Sequence, residues 1–442
     1  MIAQRGLFFA LDAVLLLAGW WLRPPELPRQ PYYLGFLITF LVFAALLAWG
    51  GAGFPGFSAS IGGGKGIMLL FLGMFALWGM FSPTWSRYPT QSATAGGQFL
   101  LVFLFAVVAA CAPYPPRRAA HVLIAGALFQ AVIVIAQALL QHPVGLTLFG
   151  EFELRSGFKG MSILRAGGAV WLRPYGLTIH PNVIAGYLTV GLLAMTAWLY
   201  GGESPALPRW WGIVRVLCAG VVFGALCLTF SRGAWVAFLG GMALICLAMR
   251  RRGAPRLATR RLALAGGALG VVGLLFVVGY TPFLLARAGV GGETTELRST
   301  TDRRIFIEIA ADLIAQKPLQ GVGVGAFPWE ARDWLLRSPY RTLQAQNVHN
   351  VPLLIAAELG LIGLGLWGGA VISGGWAGWQ RARDPYAIGV AAGAAALLAI
   401  GLIDHYPHAI LPMVFLAWGL MGIQTTQQGH AGRKHPPTTP TY

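Results

Sequence analysis

Five short polar stretches interrupt an otherwise apolar chain and carry the residue types that chemistry needs. The sharpest is Thr229-Phe230-Ser231-Arg232-Gly233. Arg232 has apolar runs on both sides and almost no loop around it. An ionisable group at the edge of hydrocarbon is costly and marks function by default. The plainer reading is an Arg that snorkels to the interface. Ser231 and Gly233 favour a built anion site, because a hydroxyl donates and a glycine lets backbone approach a ligand. Arg303 and Arg304 follow Asp302 at the predicted start of an amphipathic helix. There an Arg opposes the helix dipole, and a bound anion would reverse that penalty. For one of the two, a solvated face is accepted as the reading. The planar guanidinium fork suits a diphosphate better than an ammonium does.

His349, beside Asn347 and Asn350, has an ordinary pKa near 6.5 and suits a proton acceptor near neutral pH. A structural His is the plain alternative. His180 and Asn182, in a stretch that begins at Arg173, form a second candidate pair. Pro181 between them more simply marks a helix start. Asp404 and His405 adjoin and could pair. Metal sites need about three or four convergent ligands. The carboxylates show no tight motif, so no metal and no cofactor is expected, and Arg neutralises the substrate anion instead. Gly321, Gly323 and Gly325 read as the turn that ends the amphipathic helix. Gly62 to Gly66 lacks phosphate-loop spacing.

These residues need elements to hold them. The chain has 442 residues, 56% hydrophobic and 11% charged. A soluble domain carries about 25% charged residues, so lipid must cover most of this surface. The net charge of +17 fits basic cytoplasmic loops, and nucleic acid is not expected as a partner. Cys111, Cys218, Cys227 and Cys246 all fall in apolar runs and read as packing residues. The run from Gly6 to Leu22 reads as a retained helix.

About twelve spans are predicted, near 6–22, 32–50, 66–82, 95–112, 118–140, 181–200, 211–229, 233–249, 262–286, 352–373, 386–403 and 407–424. Lys and Arg in the short loops place both ends in the cytoplasm. Two long connections, 141–180 and 287–351, then fall outside, and all five polar stretches map to that face. In the second, Ile305, Ile309, Leu313 and Ile314 recur at helical spacing, Thr300, Thr301 and Asp302 offer N-caps, and Pro318 closes the helix. The expected architecture is all-α, with 1–426 as the membrane domain and 427–442 as a disordered cytoplasmic tail.

The ordered series resembles the O-antigen ligase and polymerase superfamily. It runs through Arg173, Gly176 and His180-Pro181-Asn182, then Thr229 to Ala234, then Arg303 fifteen residues before Pro318. Gly321 to Phe327, His349-Asn350 and Glu358 to Gly363 complete it, and the likeness covers the chain from Ser82 to Asp404. Ile307 stands where many relatives carry Trp, and the choice of Arg303 over Arg304 rests on spacing to Pro318. The resemblance implies a GT-C-like, twelve-helix glycosyltransferase bundle in the bacterial inner membrane, with a large periplasmic loop. It implies a glycan donor on undecaprenyl diphosphate, a lipid or glycolipid acceptor such as lipid A–core, and inverting, metal-independent transfer. By motif, Arg232 and Arg303 would bind the diphosphate and His349 would activate the acceptor hydroxyl. Arg173, Arg304, His180, Asn182, Ser231, Asn350 and Asp404 would line the substrate site. A polymerase is the runner-up and a protein-glycosylating relative the third option. A transporter is disfavoured, because Asp12, His121, Arg215 and Glu358 are scattered ionisable groups within the spans.

Overall fold

In a computed structural model of the chain, residues 2–20, 41, 50, 62–154, 161–200, 210–253, 256–289 and 294–426 are described. Helices form where the apolar runs predict them. The first eight are α1 (Ile2–Leu17), α2 (Gly63–Phe81), α3 (Pro89–Cys111), α4 (Pro116–Leu140), α5 (Pro181–Tyr200), α6 (Trp210–Leu228), α7 (Arg232–Arg251) and α8 (Arg256–Arg287). After them come α9 (Thr294–Gln316), α10 (Phe327–Leu336), α11 (Val351–Arg381), α12 (Pro385–Gly401), the short α13 (Tyr406–Ala409) and α14 (Leu411–Gln424). Helices thus occupy eleven of the predicted spans. The span at 32–50, apart from residues 41 and 50, and the tail at 427–442 lie outside the described residues. Pro89, Pro116, Pro181 and Pro385 each open a helix, where the missing N–H costs nothing.

Among the described residues, eight helices are long and apolar enough to cross a membrane. Their surfaces say the same. Leu264, Val271, Leu274, Leu275 and Val278 of α8 are exposed, an apolar stripe that water would not tolerate. The most apolar stretch of α8 is only 22% buried, whereas that of α5 is 89% buried. So α5 is the centre of the bundle and α8 its rim. Close approach around α5 depends on small residues: a Cβ on Gly191 would stand 2.2 Å from the Ala127 methyl of α4.

The second long connection folds into a small helical unit with its own apolar core. Ile305, Ile309 and Leu313 of α9 are buried with Phe327, Leu335 and Val348. One expectation is corrected here. α9 begins at Thr294, not near Asp302, because Glu296, Leu297 and Arg298 carry the helix further back. Thr300, Thr301 and Asp302 are therefore interior, and Arg303 and Arg304 are not at a helix N-terminus. The dipole penalty inferred for them does not apply.

The glycine stretch does more than end α9. α11 is broken at Gly360 (φ 68°), and the segment after α9 lies along the break. Val322 and Gly323 N–H donate to the Ala357 and Glu358 carbonyls at 3.0 and 2.8 Å, and Leu361 N–H donates to Pro318 O at 2.8 Å. Backbone groups freed by a broken helix within a bundle must be satisfied by protein. A Cβ on Gly360 would meet Leu319 O at 2.1 Å. The turn after α2 ties the unit down. Arg87 pairs with Glu330 (2.9 Å) and Asp333 (3.1 Å), and Tyr88 O–H donates to Asp333 at 2.6 Å.

The first long connection adds something that an all-α reading lacks. β1 (Ile163–Ala166) and β2 (Ala169–Leu172) form an antiparallel hairpin, with Ile163 opposite Leu172. Gly167 and Gly168 both have positive φ, as the two-residue turn between such strands requires.

Candidate active site

The α6–α7 turn places Ser231 and Arg232. Thr229 hydrogen-bonds back to the end of α6, and Phe230 takes a left-handed φ of 51°. A non-glycine residue there is uncommon and must be held by its surroundings. The holding contact is the Phe230 ring, fully buried against Phe276 and Tyr280 of α8. The next residues therefore turn away from the apolar core. Ser231 is the N-cap of α7, and Arg232 is its first residue. Arg232 donates to Arg287 O at the end of α8 at 2.6 Å, a favourable place for a cation.

A cavity of about 330 Å³ opens at this turn. Arg232, Arg287 and Arg303 line it, together with Ser231, Asn182 and Asp404. Three guanidinium groups from α7, α8 and α9 thus face one space. Arg304 does not join them. Consecutive helical residues lie about 100° apart, and Arg304 is exposed, with its Nε bonded to Glu308 at 3.0 Å. Arg287 was not singled out from the sequence. Its signal was a cation ending a span on the same face.

Arg173 lies behind the cavity, 2% exposed. Its Nε donates to Thr229 O (2.7 Å), and its terminal nitrogens donate to Ser162 Oγ and Asn182 Oδ1 (both 2.8 Å). It joins the hairpin, the α6–α7 turn and the start of α5. α4 fixes the intervening irregular segment: Gln137 Oε1 accepts from Tyr175 and Gly176 N–H at 3.0 and 2.8 Å, and Gln130 Oε1 accepts from Leu177 N–H at 3.1 Å. Asn182 passes the order on, donating to Asp404 Oδ2 at 2.9 Å. His180 Nδ1 accepts from Asn182 N–H at 3.1 Å, and burial with Arg173 nearby pushes its pKa down to about 3. It stands as a neutral, structural acceptor in this geometry.

Asn350 caps α11, its Oδ1 accepting from Leu353 N–H at 2.8 Å while its Nδ2 donates to Leu402 O at 2.8 Å. That double engagement fixes the backbone beside His349. The His349 ring meets the His405 ring edge-on, with centroids 4.9 Å apart. Burial lowers the His349 pKa to about 4; Asp404 opposes that shift, while His405 and Arg303 add to it. Its imidazole is therefore neutral at pH 7 and has a lone pair for a proton. Burial disfavours the Asp404 anion, but His405, His349, His180 and the Asn182 bond hold its carboxyl below the ordinary value. Ligating atoms of His349, Asp404 and His405 all lie within 4.8 Å of one another. The sequence reading, which expected no tight ligand motif, missed this group because His349 is far from the other two in the chain.

The apolar helices and this site define a polytopic, predominantly α-helical membrane protein with a cation-lined cavity whose Asp404 clusters with a neutral imidazole. Residues 216–368 match the family model described as O-antigen ligase, so the chain carries the domain of the O-antigen ligase superfamily that its ordered motifs resemble. The match supports a ligase- or polymerase-like glycosyl-transfer function in general. It includes Arg232, Arg287, Arg303 and His349, and excludes Arg173, His180, Asn182 and Asp404. No curated protein matches the chain.

Proposed function

We propose that the protein is an inverting glycosyltransferase of the O-antigen ligase type. It moves a glycan from undecaprenyl diphosphate to an acceptor sugar hydroxyl, of the lipid A–core kind, at the periplasmic face of the inner membrane. The observation that carries this reading is the convergence of Arg232 and Arg303, 71 residues apart in the chain, on one cavity whose Asp404 clusters with His349. His349 takes the proton of the acceptor hydroxyl, and its oxygen forms the bond to the anomeric carbon. The bond from that carbon to the diphosphate oxygen breaks, and the polyprenyl diphosphate leaves with the electron pair. Arg232, Arg303 and Arg287 neutralise it. Preorganised charge of this kind contributes roughly 2–4 kcal/mol for each group that faces the developing anion. Arg173, Asn182 and Asp404 form the chain of bonds that orients the site. Residues 1–426 act as one twelve-helix, GT-C-like membrane domain with 287–351 as its periplasmic loop and 427–442 as a cytoplasmic tail.

The test is reconstitution with a lipid-linked donor. His349→Ala should lower transfer by about 10²–10⁴, the range for loss of a general base. Undiminished transfer would remove the base from the scheme. Supplying lipid A–core or a second lipid-linked repeat as acceptor separates ligation from polymerisation.

A further inference from the structure

We infer that His349, Asp404 and His405 form a binding site for one divalent transition-metal ion of the zinc class, and that its occupancy blocks transfer. Three potential ligands, two imidazoles and a carboxylate, have their ligating atoms within 4.8 Å of one another. A tetrahedral ion with bonds of about 2.1 Å holds its ligands about 3.4 Å apart. Small rotations of two imidazoles cover the difference. Three protein ligands with an open fourth position are a common zinc arrangement.

Each imidazole offers a buried nitrogen without a hydrogen-bond partner, His349 Nδ1 and His405 Nδ1. Orphaned buried polar atoms are rare and costly, and a metal bond relieves both at once. His405 Nδ1 already stands 3.5 Å from Asp404 Oδ1. Asp404 is oriented from behind by Asn182, and partners of this kind fix ligand direction in metal sites. An ion has a way in, because Asp404 also lines the 330 Å³ cavity. Arg303 lies close enough to oppose a cation electrostatically. It weakens the site without removing a ligand.

Occupancy would take the lone pair that His349 needs for the acceptor proton. The three cavity guanidiniums already supply the charge that an anionic leaving group requires, so the ion acts as an inhibitor. That inhibitory half rests on the proposed function; the binding half does not.

The full chain, purified without a histidine tag and stripped with chelator, is titrated with Co2+ and followed by visible absorption and metal content. The expected result is one Co2+ per chain, displaced by Zn2+. His405→Gln and His349→Gln should each weaken binding at least about tenfold, since even indirect partners of a metal ligand are worth that much. Thermal unfolding of each variant confirms that it is folded. Absence of Co2+ absorption, or unchanged affinity in either folded variant, overturns the site. In the transfer assay Zn2+ should inhibit and chelator should restore. Full transfer with metal bound overturns the blockade alone, whereas full transfer by His349→Ala overturns the base assignment and leaves the binding result standing.

Discussion

Arg303 and Arg304 show how one residue of offset decides a role. Both are cations on the same turn of α9, yet Arg303 faces the cavity and Arg304 spends its guanidinium on Glu308. Arg303→Ala should therefore cut the transfer rate by about 10²–10³, as loss of a preorganised charge does. Arg304→Ala should change it less than about twofold, because an exposed pair of this spacing is worth only about 0.3–0.5 kcal/mol. Parallel rate measurements on the two variants check this, and equal losses would contradict the assignment. Among the remaining polar residues the structure separates those that face the cavity from those that brace it. Ser231 and Asp404 line it, whereas Arg173 and Asn350 have hydrogen bonds to the protein. Asn182 does both, lining the cavity and binding Arg173 and Asp404.

The broken helix α11 is the element on which the site depends most. His349 and Asn350 stand at its start, and Gly360 interrupts it three turns later. The segment between α9 and α10 fills the interruption, so the cavity wall on α9 and the base at α11 belong to one mechanical unit. Gly360→Ala would force a side chain into a positive-φ position and against Leu319 O. A loss of about 2 kcal/mol or more follows, since such strain costs about 1–3 kcal/mol before any clash is counted. A lowered thermal unfolding midpoint in detergent would show it, and an unchanged midpoint would mean that the glycine stretch does not brace the helix. The four scattered ionisable groups in the spans have their own local partners. Asp12 meets Arg118, Arg215 stacks on Trp198, His121 meets Tyr386, and Glu358 accepts from Phe327 N–H. They lie on four different helices, each with its own partner.

At the scale of the whole molecule, the bundle brings the polar stretches to one end while the Arg250-Arg251-Arg252 cluster lies at the far end of α7. α7 is 20 residues long, about 30 Å, which is the hydrocarbon thickness. If α7 crosses the membrane as proposed, the site and the basic cluster face opposite aqueous phases. The proposed orientation, with basic loops inside, puts the loop unit outside. Ser338→Cys, after α10, should react with a membrane-impermeant maleimide on intact cells, and Arg252→Cys only after permeabilisation. The reverse pattern would invert the topology and move the site to the cytoplasm.

Local sequence was enough for whatever depends on local composition. Apolar runs predicted where the described helices lie, eight of them long enough to cross a membrane, because each helix satisfies its own backbone and needs only lipid or neighbours around it. The helical spacing of Ile305, Ile309 and Leu313 likewise announced a buried face. The polar stretches could be singled out because charge is conspicuous in so apolar a chain. Which of them meet was settled by tertiary structure alone. Arg287 joins the cavity because α8 ends beside α7, and Arg304 leaves it because of helical geometry. His349 reaches Asp404 and His405, more than fifty residues on, because α11 and α12 pack side by side. The hairpin after α4 and the strand-like bracing of Gly360 depend on backbone hydrogen bonds between distant segments, which no window of sequence displays. The chain's own residues show where the charges are; the fold determines which of them act on the same few ångströms.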